Sequence, residues 1–295
     1  MSRRARISPA TVFFALLSLV LATLLYLRSC PEKPAPPVPE RRPTPAPRAG
    51  TPRPRTATPR QARTAVPQAP VAPGVAAPVA IVIDDLGNER APAERIASWS
   101  EPVAGAVLPA VRFSAECARA LARGGKEVLL HLPMEPDRYP AVKPGPGVIL
   151  RSQSDEEIVR TLEADLATVP GAVGVNNHMG SAATADPRVM RAVAGVLARR
   201  GLFFLDSRTT DTTVAERTAE ENSVPSAHRR VFLDDVPTEP AIRTQLAELV
   251  RRAREEGGAI AIGHPYPATL AVLEADLPGL EKRGVKLVTV RDLVR

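Results

Sequence analysis

The 295 residues suffice for one large domain or two small ones, and the formal charge of +7 is unevenly spread. Residues 1–80 hold 12 Lys and Arg against 2 Asp and Glu, which leaves 27 basic and 30 acidic groups for the rest. The part that can fold is therefore mildly acidic, which argues against nucleic acid as its partner, while the basic segment suits anionic lipid or cell-wall polymer better. Beyond residue 80 the sequence has one cysteine, Cys117, so a disulfide within that part is excluded.

Residues 1–30 predict a membrane anchor. Arg3, Arg4 and Arg6 precede an apolar run at 10–27, which has about the length needed to cross a bilayer. Because the run lacks a small-x-small cleavage site, we expect an uncleaved signal anchor at the inner membrane, with the folded domain periplasmic or otherwise extracytoplasmic. Lipidation of Cys30, in LRSC, is left open, although the arginine two positions earlier fits a lipobox poorly.

Residues 31–77 predict a disordered linker rich in proline and arginine. Fifteen of the 32 prolines fall in residues 31–80, and bulky apolar side chains are almost absent there. Such a segment cannot bury enough surface to fold and can span on the order of 100 Å. Residues 78–295 instead carry the aliphatic periodicity of a folded domain, and their number is ample for a packed core.

Short aliphatic runs alternate with helical patterns throughout residues 78–295. The predicted strands are 79–83, 103–108, 127–131, 172–176, 202–206, 230–234, 259–263 and 285–290. Helix signals stand between them: Ser154 and Glu157 form a capping box, Asp186 precedes a proline at the first helical position, and Gly257 ends a helix. This alternation predicts an α/β fold with parallel strands, either a barrel or a doubly wound sheet.

Polar side chains follow six of these strands. They are Asp84 and Asp85; His131; Asn176, Asn177 and His178; Asp206; Asp234 and Asp235; and His264. Because the carboxyl ends of parallel strands meet on one face, we expect these side chains to converge there. Taken singly, Asp84 and Asp85 could form a capping turn, and each histidine could be an ordinary buried one. Together they favour a functional site.

Aspartate and two histidines on one face suit zinc or a similar divalent ion. A second carboxylate beside the ligand can act as general base, and a further histidine can protonate a leaving group. His228, in PSAHRR, is assigned to the surface. Asp234 and Asp235 could belong to the site or could cap the helix that begins near Glu239.

Four segments resemble motifs of the NodB-type polysaccharide deacetylases (carbohydrate esterase 4-type), specifically of the divergent polysaccharide deacetylase family of bacterial envelopes. They are IVIDDLGN, GKEVLLHLPMEP, GVNNHMGS and AIAIGHPYPATL, and the resemblance covers roughly residues 78–295. It implies a deformed (β/α)7–8 barrel. It also implies that Asp84 is the catalytic base, Asp85 and His131 are metal ligands, and His264 is the general acid.

The chain departs from the ordinary family at two motifs. Glu135 stands where the second motif has another histidine, so the third ligand is either Glu135 or His178; we favour His178 because the divergent branch carries the NHMGS segment. The arginine-proline motif that orients the base is not found, and Arg208 beside Asp206 is a candidate substitute. Asn177 and Ser181, with Asp206 and Arg208, are expected to bind or orient substrate.

The resemblance implies a metal-dependent hydrolase, with zinc as the expected ion, that removes N-acetyl groups from an amino sugar of a peptidoglycan-type envelope polysaccharide. Asp84 would take a proton from water, and His264 would give one to the leaving amine. The expected partners are cell-wall glycan and, through residues 10–27, the inner membrane. One alternative is a catalytically silent barrel that binds glycan or a cell-wall partner. Another is a phosphoesterase, which the acidic domain disfavours.

Overall fold

The computed structural model describes residues 75–295, which form one parallel sheet with helices between its strands. The strands are β1 (Ala77–Leu86), β2 (Ala104–Val107), β3 (Val128–Met134), β4 (Gly174–Met179), β5 (Phe203–Asp206), β6 (Ser226–His228), β7 (Val231–Phe232), β8 (Ala259–Gly263) and β9 (Val285–Leu287). The helices are α1 (Ala91–Ala97), α2 (Ser114–Arg123), α3 (Asp155–Thr168), α4 (Pro187–Arg200), α5 (Ala215–Glu221), α6 (Glu239–Glu256) and α7 (Pro267–Asp276). A 3₁₀ helix (Leu277–Arg283) precedes β9.

The sheet curls into an incompletely closed barrel. Its strand order is β6-β5-β4-β3-β2-β1-β8-β7, and β9 pairs with the first residues of β1. Two adjacent residues, Arg229 and Arg230, join the strands at its opposite edges. The N–H of Arg229 donates to the carbonyl of Asp206 in β5, and that of Arg230 donates to Ile260 in β8. The two edges therefore lie side by side, and the expectation of a parallel α/β barrel is confirmed over the doubly wound alternative.

The barrel has an outer and an inner apolar layer. The larger hydrophobic cluster lies between the sheet and the helices, and a smaller cluster that includes Val82, Leu129 and Ile262 fills the interior. The C-terminal segment adds Val290 to the interior cluster, and Glu127 accepts its N–H at 2.6 Å. Further along the strands, polar residues replace apolar ones on the inner face, and the candidate site lies there.

Most predicted elements are confirmed, because their signals are local. Each of the eight predicted strands overlaps an observed one, the Ser154–Glu157 capping box begins α3, and Asp186 caps α4 through the N–H groups of its first turn. The strand β6 was missed, since three residues are too few to show an alternating pattern. The assignment of His228 to the surface is therefore wrong: pairing of β6 with β5 leaves it only 9% exposed.

Within residues 75–295, no helix combines the length and the apolar character that a membrane span requires. The predicted anchor at 10–27, Cys30 and residues 31–74 of the predicted linker lie outside the described residues. The anchor and the linker therefore stay predictions.

Candidate metal centre

Two adjacent aspartates face the barrel interior because β1 contains a bulge. Ile81 and Ile83 pack in the outer cluster, and so does Leu86, so the in–out alternation slips by one residue between them. The register with β2 shifts at the same place, and Asp85 has a φ of 57°. A bulge residue in the left-handed region re-aims the side chains around it. Asp84 and Asp85 therefore both reach the interior, which a regular strand would not allow.

Asp85, His131 and His178 converge on one point. The Oδ1 atom of Asp85 lies 3.2 Å from Nε2 of His131 and 2.9 Å from Nδ1 of His178, and these two nitrogens lie 3.1 Å apart. Two ligands at 2.0–2.2 Å from one ion are separated by roughly 2.8–3.6 Å. The Oδ1 atom is buried without an aligned hydrogen bond, as expected if all three atoms face a shared ligand. These residues therefore fit a divalent cation.

No other group of three such donors lies this close together within residues 75–295. Glu135 is absent from the group because its carboxylate turns to Arg151, whose side chain donates to it at 3.0 and 3.1 Å and whose backbone N–H donates at 2.6 Å. The geometry thus places His178, rather than Glu135, beside Asp85 and His131.

Asn176 links the expected base to a ligand histidine. Its Oδ1 accepts from Nδ1 of His131 at 2.9 Å, and its Nδ2 donates to Oδ1 of Asp84 at 2.8 Å. With Nδ1 of His131 acting as donor, the lone pair of Nε2 is left to face Asp85 and His178. The motif resemblance assigns no role to Asn176, although its spacing of two residues from His178 in a strand places both on the same face.

Burial and neighbouring charges separate the two carboxylates. Burial raises the pKa of Asp84, against the opposing effects of His131 and Asn176. Burial also disfavours the ionised form of Asp85, but His131 and His178 overcome it and hold the pKa of Asp85 well below its usual range. Asp85 is thus the permanent anion and Asp84 the group better able to take a proton, a division of roles typical of paired catalytic carboxylates.

His264 enters the same space from β8 and is held by Asp234. Oδ1 of Asp234 lies 3.0 Å from Nδ1 of His264, and Oδ2 accepts from the backbone N–H of His264 at 2.6 Å and from the hydroxyl of Thr269 at 2.7 Å. Nε2 of His264 lies 3.9 Å from Asp85. Burial lowers the pKa of His264, but the hydrogen bond and charge of Asp234, together with the charges of Asp84 and Asp85, outweigh it and raise that pKa. Of the two alternatives for Asp234, the structure therefore supports the site and not the helix cap.

Three of the four residues expected to bind or orient substrate hold the backbone around the site through their side chains, and the fourth, Arg208, is held through its own backbone N–H. Asn177 accepts from the N–H of Ser207, Asp206 accepts from the N–H of Arg208, and the hydroxyl of Ser181 accepts from the N–H of Asp137, at 2.8–2.9 Å. Asp84, the expected base, accepts from Asn176 at 2.8 Å, so Arg208 is not needed to orient it. Contact of these four residues with a substrate stays a prediction.

A cavity of about 250 Å³ opens beside Asp85, between the β1–α1 loop and Pro265. Tyr266 is 44% exposed, and its ring centroid lies 5.5 Å from that of His264. The cavity therefore leaves room for a small group beside Asp85.

The chain is similar to one family model, to two bacterial relatives and to a solved structure. The sequence model of the divergent polysaccharide deacetylase family matches residues 81–294. A protein of Haemophilus influenzae is 37% identical over 217 residues, covering 74% of this chain and 76% of its own length. YibQ of Escherichia coli K12 is 40% identical over 203 residues, covering 68% of this chain and 63% of YibQ. The crystal structure of ATU2773 from Agrobacterium tumefaciens has a TM-score of 0.71 at 27% identity, covering 77% of this chain and 93% of that one.

Proposed function

The chain belongs to the divergent polysaccharide deacetylase family, and we propose that it is a metal-dependent hydrolase that removes N-acetyl groups from an amino sugar of a peptidoglycan-type envelope polysaccharide. One observation carries the proposal. Asp85 takes part in a three-residue ligand group, while Asp84 beside it stays outside that group and faces the same space as His264. A protein that only bound glycan would need neither a base nor an acid at these positions.

Asp85, His131 and His178 would hold the metal ion, and one carboxylate with two imidazoles suits zinc. Such an ion would act as a Lewis acid on the acetamide carbonyl and on a water molecule. The cavity beside Asp85 would receive the acetyl group.

Asp84 would take the proton from the attacking water. Its Oδ2 lies 3.6 Å from Nε2 of His131 and so faces the centre, while Asn176 holds its other oxygen. The pKa of Asp84, raised by burial, suits a proton acceptor better than an ordinary carboxylate does.

His264 would give a proton to the leaving nitrogen. Asp234 holds Nδ1 and raises the pKa of the imidazole, so the protonated form is populated and Nε2 carries the transferable proton. The C–N bond breaks, acetate leaves, and the amino sugar remains as an amine.

We also propose that residues 10–27 anchor the protein in the inner membrane, with the folded domain outside the cytoplasm and in reach of cell-wall glycan. The apolar run and the arginines before it support this arrangement. Reporter fusions at the C-terminus test it: a periplasmic reporter should be active and a cytoplasmic one silent, and the reverse result would contradict the topology.

The proposal is tested on the full-length protein in detergent, by its metal content and by acetate release from peptidoglycan and chito-oligosaccharides. We expect one metal ion per chain. Asp84→Asn should keep the metal and lose roughly 10²–10⁴-fold in acetate release, and His264→Ala should fall in the same range. A metal-free protein that binds glycan equally well in every variant would instead support the catalytically silent barrel.

A further inference from the structure

One connection between consecutive strands lacks a helix within residues 75–295. A helix connects each consecutive pair of strands from β1 to β6, and β7 to β8, but only two residues connect β6 to β7. This leaves a gap beside β6, between α5 and α6, and we call it the seam; Glu216, Ser226, His228 and Glu256 line it. A cavity of about 320 Å³ occupies it.

The outward side chains of β6 are polar where other strands carry apolar ones. Ala227 packs against the inner cluster, so Ser226 and His228 on either side of it point outward, into the seam cavity. On the neighbouring β5, the outward residue Phe204 belongs to the hydrophobic cluster. His228 is nine-tenths buried, at 9% exposure, and Ser226 is 5% exposed.

Buried polar atoms without a hydrogen bond are concentrated around this cavity. Among the described residues they include Oγ of Ser226, both ring nitrogens of His228 and Oε2 of Glu256, all of which line it. Nδ1 of His228 lies 2.6 Å from Oε2 of Glu216, but the two are not aligned as a hydrogen bond. Folded proteins leave few buried polar atoms without a hydrogen bond, so we expect a polar ligand in the seam cavity.

The seam cavity favours a positively charged guest. Glu216 and Glu220 lie four residues apart on one face of α5, and both line the cavity. Burial and the neighbouring Glu216 raise the pKa of Glu220, as expected for carboxylates held close together. Three glutamates of the lining, Glu216, Glu220 and Glu256, stand against two arginines, Arg230 and Arg295. Nε of Arg230 lies 2.9 Å from Oε2 of Glu256, an ion pair that is not aligned as a hydrogen bond. No hydrogen bond or ion pair joins Glu220 to another residue of the part of the chain that the structure describes.

The spacing of the acceptors decides what kind of cation fits. A metal ion needs at least three ligand atoms around one point, and within residues 75–295 that arrangement occurs at Asp85, His131 and His178 alone. In the seam the acceptors are spread around a larger space, and Ile260 and Leu293 add apolar surface to its lining. A compact organic body that carries several N–H donors matches this lining better than a bare ion does.

We infer that the seam cavity binds a primary ammonium compound of about the size of an amino sugar, through Glu216, Glu220, Ser226 and His228. The ammonium N–H groups donate to the carboxylates, and ring hydroxyl groups satisfy Ser226 and His228. This site lies apart from the metal centre and does not depend on catalysis there.

The test is binding of glucosamine to the full-length protein, followed by ligand-detected NMR and titration calorimetry, with N-acetylglucosamine as a matched neutral ligand. We expect Glu220→Gln and His228→Ala each to weaken glucosamine binding at least tenfold. Asp85→Asn, at the metal centre, and Glu221→Gln, on the exposed neighbour of Glu220, should not change it. N-acetylglucosamine should show no binding that responds to the seam variants.

Unchanged glucosamine affinity in Glu220→Gln and His228→Ala would overturn the inference. Glu220 is exposed, so Glu220→Gln decides the question if His228→Ala fails to fold. Zinc is then titrated into Asp85→Asn, and no seam-dependent zinc binding is expected. A bound equivalent of zinc that His228→Ala removes would overturn the ammonium assignment in favour of a second metal site.

Discussion

The barrel carries two polar clusters, the metal centre at the carboxyl ends of its strands and the seam between α5 and α6. At the metal centre the working groups have dedicated partners: Asn176 holds Asp84 and His131, and Asp234 holds His264. In the seam, Ser226 and His228 are also buried, but within residues 75–295 neither makes an aligned hydrogen bond through its side chain, although Nδ1 of His228 lies 2.6 Å from Oε2 of Glu216. The contrast indicates that the side chains of the metal centre are held in place before a substrate binds. In the seam, the buried polar atoms obtain hydrogen bonds only when a ligand binds.

The two clusters also arise in different ways. The metal centre continues the inward-facing positions of the strands past the apolar interior, helped by the bulge at Asp85. The seam exists because the chain passes from β6 to β7 without a helix, which leaves a cavity beside the outward-facing residues of β6.

The largest effect is expected from the third ligand. His178→Ala should lose the bound metal and lower acetate release by more than roughly 100-fold. Removing a residue that only hydrogen-bonds to a metal ligand costs up to about 100-fold, and the loss of a ligand itself should cost more. Glu135→Ala is the matched control, because its carboxylate is held by Arg151, and it should keep the metal. Elemental analysis of the purified variants checks both. Metal lost from Glu135→Ala and kept in His178→Ala would reverse the assignment.

Asn176→Ala should lower acetate release by roughly 10–100-fold, because Asp84 and His131 lose their common partner together. Asn176→Asp separates the two contacts. It keeps an acceptor for His131 but places a negative charge against Asp84, so metal should be retained while activity falls. Rates and metal content are measured side by side, and an Asn176→Ala enzyme as fast as the parent would show that the bridge is not needed.

Asp234→Asn should move the alkaline limb of the pH–rate profile to lower pH. An acid must be protonated to act, so the rate falls as the pH rises through the pKa of His264, which Asp234 raises. Removing that charge lowers the pKa, and the limb should shift down by roughly one pH unit. Asp235→Asn, at the exposed neighbour, is the control and should leave the profile in place. Equal profiles for both variants would mean that Asp234 does not tune the acid.

The smallest effect is expected when one hydroxyl group is removed from each cluster. The free energy of unfolding of the two variants is measured in urea, without ligand. Thr269→Val removes a made hydrogen bond to Asp234 and should lower the free energy of unfolding by about 1 kcal/mol. Ser226→Ala removes a buried oxygen that has no partner and should leave that free energy unchanged or raise it by up to about 1 kcal/mol. Equal losses in both variants would show that Ser226 is satisfied within the free protein.

Much of the metal centre was predictable from sequence because parallel strands impose a common geometry. Strand ends that carry Asp84, His131 and His264 must meet on one face, whatever the details of packing. Helix boundaries such as the capping box at Ser154 were equally accessible, because each depends on residues a few positions apart.

The partners of these groups were not predictable in the same way. That Asn176 joins Asp84 to His131 depends on contacts 92 and 45 residues apart along the chain. From the sequence, Asp234 could either belong to the site or cap the following helix, and its 3.0 Å distance to Nδ1 of His264 distinguishes the two. Side-chain direction and strand register in three dimensions decide whether a polar residue at a strand end contacts the site or only lies near it.

By itself the sequence determined the alternation of strands and helices and the set of residues at the strand ends, because local periodicity and chain direction encode both. The tertiary structure was needed to show that a bulge turns Asp84 and Asp85 inward together, that Asn176 joins Asp84 to His131, and that His228 lies buried in the seam. The reason is physical: register, curling of the sheet and the absence of one helix are properties of how distant segments pack, and no short stretch of sequence contains them.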